Sequence, residues 1–136
     1  MPTSKLIDLV RKAKRIYIIG NGGSYANAQH IANDLLACRI RVFTLDAATL
    51  TASANDFGYE TVFSRWLSVV AEAGDLLIAL SGSGRSTNIL AAISEAERIG
   101  MDVHCEFGAA KGLDMQQSEE AQIALGHELM RCLKKT

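Results

Sequence analysis

Four short apolar runs separated by helical segments constrain the fold of this chain more than any other feature. The runs show little alternation, as expected of strands covered on both faces: IYIIG (16–20), IRVFTL (40–45), DLLIALS (75–81) and DVHCEF (102–107). Helical patterns precede, separate and follow them: 3–14, 24–37, 58–72, 86–99 and 118–134. This order predicts an α/β protein whose parallel, central strands are joined by right-handed crossovers into a doubly wound, three-layer sandwich.

Three other stretches have less regular sequence patterns. ATLTASAND (48–56) is expected to form one or two helical turns, and GAAKG (108–112) a flexible loop. LDMQQ after that loop is a candidate short edge strand, so the sheet has four to five strands. The chain has 136 residues, 49% of them hydrophobic, which is enough for one core and predicts a single domain over residues 1–136.

Charge and cysteine usage exclude several classes of protein. The 14 Lys and Arg residues nearly balance the 15 Asp and Glu residues, which argues against nucleic acid or an anionic membrane as a partner. The apolar runs are too short to span a membrane and no signal peptide opens the chain, so a cytoplasmic location is expected. Cys38, Cys105 and Cys132 are irregularly spaced, which predicts reduced thiols in packed positions.

Two glycine- and serine-rich junctions follow the first and third apolar runs. GNGGS (20–24) and SGSGRS (81–86) each lie between a strand and a helix, where ligands bind in open α/β sheets. Glycines let the backbone approach a ligand, while free N–H groups and the positive helix end attract an anion. The candidate donors are the backbone at Gly22 and Gly23 and the hydroxyls of Ser24, Ser81, Ser83 and Ser86.

Other interpretations of these junctions remain open at this level. GNGGS departs from the GxGxxG dinucleotide pattern, although Asp46 directly after the second strand leaves such a site open. A Walker A loop is excluded because no Gly-Lys-Ser/Thr occurs. Each loop alone is also explained as a tight turn with a serine N-cap. Two matching loops together favour a phosphate ester site.

A polar stripe continues from the first junction along the predicted helix 24–37. Asn27, His30 and Asp34 are spaced i, i+3 and i+7, so they share one face, and His30 can contact Asp34. On spacing alone, a solvated face with a local His-Asp pair is the favoured interpretation. The position of the stripe, one turn beyond the candidate phosphate loop, favours a functional role.

The last predicted helix carries a comparable set of polar residues. Glu120 and His127 share a face, with Glu119 beside them, although acidic residues suit the first turn of any helix. His127 lies among apolar residues, where an imidazole needs a partner, and a core histidine with one hydrogen bond is an open alternative. His104 lies within an apolar strand and is predicted to be structural.

Four segments in this order resemble the phosphoheptose isomerases, a branch of the sugar isomerase (SIS) domain family: GNGGSYANAQHIANDL, TLTASANDFGYETVFSRW, GDLLIALSGSGRSTNIL and ALGHEL. The resemblance runs from about residue 15 to the C-terminus. It implies a flavodoxin-like SIS sandwich assembled as a homo-oligomer, dimer or tetramer, with active sites between subunits. It also implies conversion of sedoheptulose 7-phosphate to D-glycero-D-manno-heptose 7-phosphate, a step towards lipopolysaccharide heptose, without a nucleotide cofactor.

The resemblance also implies roles for individual residues. The four serines would hold the phosphate, and Asn21 and Asp56 would hold sugar hydroxyls. Asp34 stands where the family has a catalytic glutamate, and His127 matches its catalytic histidine. Some members of the family bind zinc at this site, and the corresponding residues here are His30, Asp34, Glu119 and His127. The family's threonine in the second loop is replaced by Gly82, and a glutamine of the zinc set by Glu119.

Ketose-aldose exchange suits a carboxylate and an imidazole. A base removes a proton from the carbon next to the carbonyl, and an acid serves the oxygens of the resulting enediol. The hypothesis is that Asp34 moves the carbon-bound proton and that His127, from its own or a neighbouring subunit, handles the oxygen proton or ring opening. Two alternatives stay open: a non-catalytic SIS module that binds a sugar phosphate or a protein partner, and an SIS isomerase for a pentose or hexose phosphate.

Overall fold

A computed structural model describes residues 2–134 of the chain. The helices are α1 (Pro2–Lys12), α2 (Gly23–Ala37), α3 (Ala47–Phe57), α4 (Val62–Val70), α5 (Thr87–Ile99) and α6 (Met115–Leu133). The strands are β1 (Ile16–Ile19), β2 (Val42–Phe43), β3 (Leu76–Ser81) and β4 (Asp102–Phe107). Two 3₁₀ turns span Tyr59–Thr61 and Gly108–Lys111. Within residues 2–134, every helix falls short of the length and apolar character that a membrane crossing requires.

The four strands form one parallel sheet in the order β2-β1-β3-β4, which confirms the predicted fold class. β1 lies at the centre, with Ile16 opposite both Val42 and Leu76. The strand order changes direction between β1 and β3. In a doubly wound sheet this switch point opens a crevice at the carboxyl ends of the strands, where ligands bind.

Two apolar layers cover the sheet, one on each face. Ile16, Ile18, Leu76, Ile78 and Leu80 pack against α1, α2 and α6 on one face. Tyr17, Ile19, Leu77 and Ala79 pack against α4 and α5 on the other. Every residue of β1 and β3 is buried, which explains why their sequences are apolar up to Ser81 instead of alternating.

The outer strands differ from the prediction. β2 contains only Val42 and Phe43 of the predicted 40–45, because Ile40 still donates its N–H to the Leu35 carbonyl at the end of α2. β4 has the predicted length but lies at the edge of the sheet and is half-buried, so its prediction as a central strand is wrong. Cys105 on β4 is exposed, contrary to the packed position expected for it.

The connections also differ from the prediction. α3 is longer than one or two turns because the Asp46 carboxylate accepts the Thr49 N–H and caps it. Gly58, with φ of 95°, separates α3 from the next elements, so 58–72 is a 3₁₀ turn followed by α4. GAAKG is a 3₁₀ turn, with the Ala109 N–H donating to the Gly82 carbonyl.

The candidate edge strand LDMQQ is wrong, and these residues instead begin the last helix. Asp114 and Gln117 form a capping box: the Asp114 carboxylate accepts the Gln117 N–H, and the Gln117 side chain accepts the Asp114 N–H. This cap starts α6 at Met115, before the predicted Ser118. The part of the sheet that the structure describes therefore has four strands.

Candidate active site

The two glycine- and serine-rich junctions meet at the switch point of the sheet. β1 and β3 are neighbours, with Ile19 opposite Ala79, so the loops that follow them lie side by side. They enclose a small cavity of about 60 Å³ lined by Asn21, Ser24, Leu80, Ser81, Gly82, Ser83, Ser86 and Met115. The structure thus brings together Asn21 and the four serines that the sequence analysis singled out.

Hydrogen bonds orient three of the serine hydroxyls. Ser81 Oγ accepts the Gly84 N–H at 3.0 Å, and Ser83 Oγ accepts the Arg85 N–H at 3.0 Å. Ser24 Oγ accepts a bond from Gln122 Nε2, also at 3.0 Å. Because each oxygen already accepts a bond, its hydroxyl hydrogen is available to donate to a ligand. The cavity therefore offers several donors, as an anion requires.

Two helices begin at this cavity, and no side chain caps the start of either one. These helices are α2, after Gly22, and α5, after Ser86, and they share this feature with the start of α4. Gly22 adopts a φ of 56°, which favours glycine. The cavity thus combines uncapped helix N-termini with hydroxyl donors, the arrangement that binds phosphate in many α/β proteins.

Gln122 is a site residue that the sequence analysis missed. Its side chain is 2% exposed, and its Oε1 accepts a bond from Asn27 Nδ2 at 2.9 Å. With Oε1 occupied, Nε2 faces Ser24 and fixes that hydroxyl. A polar residue in the buried stripe of α6, which contains Ser118, Gln122, Gly126, Leu129 and Leu133, was the available signal.

Asn21 is held rigidly at the mouth of the cavity. Its side-chain amide exchanges two hydrogen bonds with the Asn88 amide, each 2.9 Å long. The Tyr59 hydroxyl also donates to Asn21 Oδ1 at 2.5 Å. Asn88, which is buried, and Tyr59 had not been predicted as site residues. A groove of about 200 Å³ beside this point is lined by Gly20, Gly22, Tyr25, Ala47, Leu50, Thr51 and Tyr59.

Two other predicted residues lie elsewhere. Asp56 is exposed on α3, where it accepts a hydrogen bond from Asn55, and it lines neither the serine cavity nor the adjacent groove. The Glu119 carboxylate packs against Gly23, where an added Cβ would lie 2.1 Å from Glu119 Oε2. A side chain at position 23 would displace the end of the Glu119 side chain, which lies at the positive end of α2.

Met115 fills the space above Gly82. A Cβ at Gly82 would lie 2.4 Å from the Met115 sulfur. Met115 thus occupies the volume that a side chain at position 82 would need, and it closes one wall of the serine cavity. The glycine in the second loop thus leaves room for the methionine at the start of α6.

A second cluster joins His30 and Asp34 of α2 to His127 of α6. His30 Nε2 lies 3.3 Å from His127 Nε2 and 3.4 Å from Asp34 Oδ2. The predicted contact between His30 and Asp34 is therefore present. His127 reaches this cluster within one chain, so the expectation that a neighbouring subunit supplies the histidine is unnecessary.

Close packing of α2 and α6 makes this cluster possible. Gly126 faces Ile31, and a Cβ at Gly126 would lie 2.5 Å from Ile31 Cγ1. Asn27 adds a hydrogen bond from Nδ2 to the Glu119 carbonyl at 3.0 Å. The absent side chain at Gly126 lets the next residue, His127, reach across to His30.

The geometry of the cluster fits a metal ion. Asp34 Oδ2 is buried and has no hydrogen-bond partner among the described residues. One ligand atom from each of His30, Asp34 and His127 lies within 4.8 Å of the others. Tetrahedral zinc with bonds of about 2.0–2.1 Å separates its ligands by about 3.3–3.4 Å. The two observed separations of 3.3 Å and 3.4 Å match this spacing, whereas Glu119 is not part of the group.

The serine cavity and the histidine cluster lie along the same helix pair. His30 follows Ser24 by six residues on α2, a rise of about 9 Å at 1.5 Å per residue. On α6, His127 follows Gln122 by five residues, a similar rise. An extended ligand with an anionic group in the serine cavity would thus have to be about 9 Å long to reach the cluster with its far end. His104 lies outside both groups and bonds to Glu106 at 2.8 Å, as expected of a structural histidine.

Comparisons with known proteins agree with this geometry. The sequence model of the SIS domain family matches residues 3–105. A phosphoheptose isomerase of Akkermansia muciniphila is 40% identical over 126 residues, covering 87% of this chain and 66% of that protein. One from Rhodospirillum rubrum is 34% identical, covering 88% of this chain and 76% of that protein.

A solved structure shows the same architecture over nearly the whole chain. Phosphoheptose isomerase GmhA from Neisseria gonorrhoeae superimposes with a TM-score of 0.90 at 27% identity, covering 99% of this chain and 86% of that one. The chain spans only 54% to 66% of the length of five curated relatives, the Akkermansia protein included. From the family match and these similarities, the chain belongs to the SIS domain family and, within it, to the phosphoheptose isomerase branch.

Proposed function

We propose that residues 1–136 act as a single SIS domain that isomerises sedoheptulose 7-phosphate to D-glycero-D-manno-heptose 7-phosphate. One observation carries this proposal. A small cavity lined by serine hydroxyls lies at the start of α2 and α6, and a carboxylate-imidazole cluster lies about two turns further along the same two helices. Similarity to phosphoheptose isomerases supports a seven-carbon substrate. A non-catalytic module would need the cavity but not the cluster.

The proposed mechanism uses two proton transfers. With the phosphate held in the serine cavity, the Asp34 carboxylate removes the proton from the carbon next to the carbonyl, and an enediol forms. The His127 imidazole gives a proton to the carbonyl oxygen and takes one from the neighbouring hydroxyl. Return of the carbon proton to the adjacent carbon completes the exchange of ketose and aldose. Asp34 Oδ2 accepts no hydrogen bond from the described residues, and its nearest basic group is His30 Nε2 at 3.4 Å.

The same residues would hold a zinc ion. His30, Asp34 and His127 would supply the ligands, and Glu119 would join them only if its carboxylate turned away from Gly23. Zinc at this point would supply positive charge next to the oxygens of the enediol.

A cytoplasmic location is also part of the proposal, since all three cysteines are free thiols and sugar phosphates are cytoplasmic metabolites.

The assay for this function is incubation of the purified protein with sedoheptulose 7-phosphate, with and without zinc, followed by NMR. We expect an aldose 7-phosphate to form. Unphosphorylated sedoheptulose is the matched control and should give much slower turnover, because it lacks the group that the serines bind. Saturable binding of the phosphate ester without any product would instead identify a non-catalytic SIS module.

Gln122 offers a prediction about substrate binding. Replacing it with methionine keeps the volume but removes the amide that positions Ser24 and leaves Asn27 without an acceptor. A lost buried hydrogen bond costs about 1–3 kcal/mol, so we expect KM to rise by about tenfold or more with a smaller change in kcat. Steady-state kinetics check this, with Gln116→Met on the exposed side of α6 as the control. If both variants had the same kinetic constants, Gln122 would have no role in substrate binding.

Zinc binding offers a prediction that does not depend on turnover. His30→Ala removes one of three ligands, and we expect the affinity for zinc in isothermal titration calorimetry to fall by about 10²-fold or more. His104→Ala, a histidine outside the cluster, is the control and should bind zinc as the unchanged protein does. Equal zinc affinity for the His30 and His104 variants would place the ion elsewhere.

A further inference from the structure

A second cavity, the basic cavity, lies at the amino ends of β1 and β2, opposite the serine cavity. It has a volume of about 310 Å³, and four basic side chains line it: Arg11, Lys14, Arg39 and Arg41. The rest of its lining consists of apolar side chains and Cys38, without any acidic residue of the described chain. β1 separates the two cavities by about 13 Å, since its four residues rise about 3.3 Å each. A ligand bound here would therefore not compete for the serine hydroxyls.

The basic side chains of this cavity come from two short runs of sequence, RKAKR (11–15) and RIR (39–41). In the first run, the two residues outside the cavity are paired: Lys12 Nζ lies 3.3 Å from Asp102 Oδ2, and Arg15 Nη1 lies 2.9 Å from Glu72 Oε2. Within residues 2–134, by contrast, no carboxylate forms an ion pair with the four side chains that line the cavity. Both runs thus bring unpaired positive charge to one place.

The ends of three helices also meet at the basic cavity, and helix ends of this kind favour positive charge. α1, α2 and α6 end at Lys12, Ala37 and Leu133, within the lining or next to it. The C-terminal end of a helix carries about −0.5 of an elementary charge, so three ends offset about 1.5 of the four positive charges. An excess of about 2.5 positive charges remains. Compensation of the helix ends therefore explains only part of this basic cluster.

Arg39 holds a backbone conformation that arginine does not favour. Its φ is 64°, and among residues 2–134 it is the only residue other than glycine with a positive φ. It closes the end of α2, where its N–H donates to the Leu36 carbonyl at 2.9 Å and the Ile40 N–H donates to the Leu35 carbonyl at 3.1 Å. Helices usually place glycine or asparagine at this position. Arginine gives no advantage in ending the helix, so the role of this residue lies in its charged side chain.

We propose that the basic cavity binds a small molecule that carries two or more linked phosphate groups. Three of its four basic side chains are arginines, whose guanidinium groups bind pairs of phosphate oxygens through two parallel hydrogen bonds. One phosphate group carries about −1.5 to −2 charges at pH 7, which is less than the excess of positive charge, whereas linked phosphates match it. The volume of the cavity falls within the range of small-ligand sites, about 300–1,000 Å³.

A groove of about 500 Å³ continues from the basic cavity along β2. It shares Arg39, Ile40 and Arg41 with the cavity and extends to Leu36 and Phe43, which are 61% and 45% exposed. Exposed apolar side chains beside a cationic site suit a ligand with phosphates at one end and a planar group at the other. The basic cavity contains no residue of the serine cavity or the histidine cluster, so this proposal does not depend on the isomerase activity.

The first experiment is isothermal titration calorimetry with sodium tripolyphosphate at low ionic strength, where screening of charges is weak. We expect saturable binding that persists when Ser24 and Ser81 are both replaced by alanine. Arg41→Gln should weaken binding at least about tenfold, because it removes a charge-assisted contact. Lys5→Gln removes the same charge from an exposed position on α1 outside the cavity and should change the affinity less than about twofold. Absent binding, equal losses in Arg41→Gln and Lys5→Gln, or a loss confined to the serine variant would overturn the proposal.

A second experiment separates ligand binding from folding at Arg39. Asparagine tolerates the left-handed backbone better than arginine does, so the urea midpoint of Arg39→Asn should equal or exceed that of the unchanged protein. Its affinity for tripolyphosphate should nevertheless fall at least about tenfold. Unchanged affinity in this variant would contradict the proposal.

Titration with ATP distinguishes two sources of linked phosphates. Tighter binding of ATP than of tripolyphosphate would identify a nucleotide as the ligand, with its base in the groove along β2. Equal or weaker binding of ATP would identify the phosphates alone as the recognised group. Both results support the basic cavity as the site, whereas binding of ATP that Arg39→Asn and Arg41→Gln leave unchanged would contradict it.

Discussion

Replacing His127 by alanine is expected to lower kcat by about 10²–10⁴-fold while KM changes little. The imidazole lies 3.3 Å from His30, about two turns along the helix pair from the serine cavity. It is therefore placed to serve the oxygens of the enediol and not the phosphate. Removing it takes away a proton donor and acceptor but leaves the donors around Ser24 and Ser81 intact. Steady-state kinetics with sedoheptulose 7-phosphate measure both parameters.

His104→Ala is the matched control for this experiment. His104 also bonds to a carboxylate, that of Glu106, but it lies on β4 outside the cluster. Its replacement should leave kcat within a few-fold of the unchanged protein. Circular dichroism establishes that both variants are folded. Unchanged kcat in His127→Ala, or a loss that lies entirely in KM, would contradict the role assigned to His127.

Gly126→Ala is expected to lower both the free energy of unfolding and the rate of turnover. The added Cβ would lie 2.5 Å from Cγ1 of Ile31, a buried β-branched side chain with little freedom to move away. Overpacking of this kind costs about 1–3 kcal/mol, against a gain in helix propensity of about 1 kcal/mol. Any shift of α6 also moves the next residue, His127, and a displacement of about 1 Å can cost about 10²-fold in rate.

A double-mutant cycle isolates this contact. Ile31→Ala alone should destabilise by creating a cavity, whereas Gly126→Ala combined with Ile31→Ala should be more stable than the sum of the single changes predicts. Urea denaturation measures each free energy, and kinetics show whether turnover recovers as well. If the two changes were strictly additive, Gly126 would not set the distance between α2 and α6.

Local chemistry made part of this site predictable. The glycines and serines after β1 and β3 indicate ligand-binding loops independently of the rest of the sequence. Parallel neighbouring strands bring such loops to the same edge of the sheet. For this reason the cluster of Ser24, Ser81, Ser83 and Ser86 could be predicted from sequence. The His30 and Asp34 contact was predictable too, because one turn of helix brings the two residues together.

Contacts between distant segments could not be predicted in the same way. Gln122 reaches Ser24, and His127 reaches His30, only because α6 lies against α2 at Gly126. Nothing local in either helix specifies that crossing. The short β2 and the edge position of β4 were missed for a related reason, since the place of a strand in the sheet depends on its neighbours and not on its own apolar residues.

The most direct test of the isomerase account follows sedoheptulose 7-phosphate in D₂O by NMR. The account predicts an aldose 7-phosphate that carries solvent deuterium at the carbon next to its carbonyl, with both product and deuterium lost in Asp34→Asn while the phosphate ester still binds. If the unchanged protein bound the sugar phosphate but produced neither aldose nor deuterated sugar, with or without zinc, proton transfer through an enediol would be contradicted.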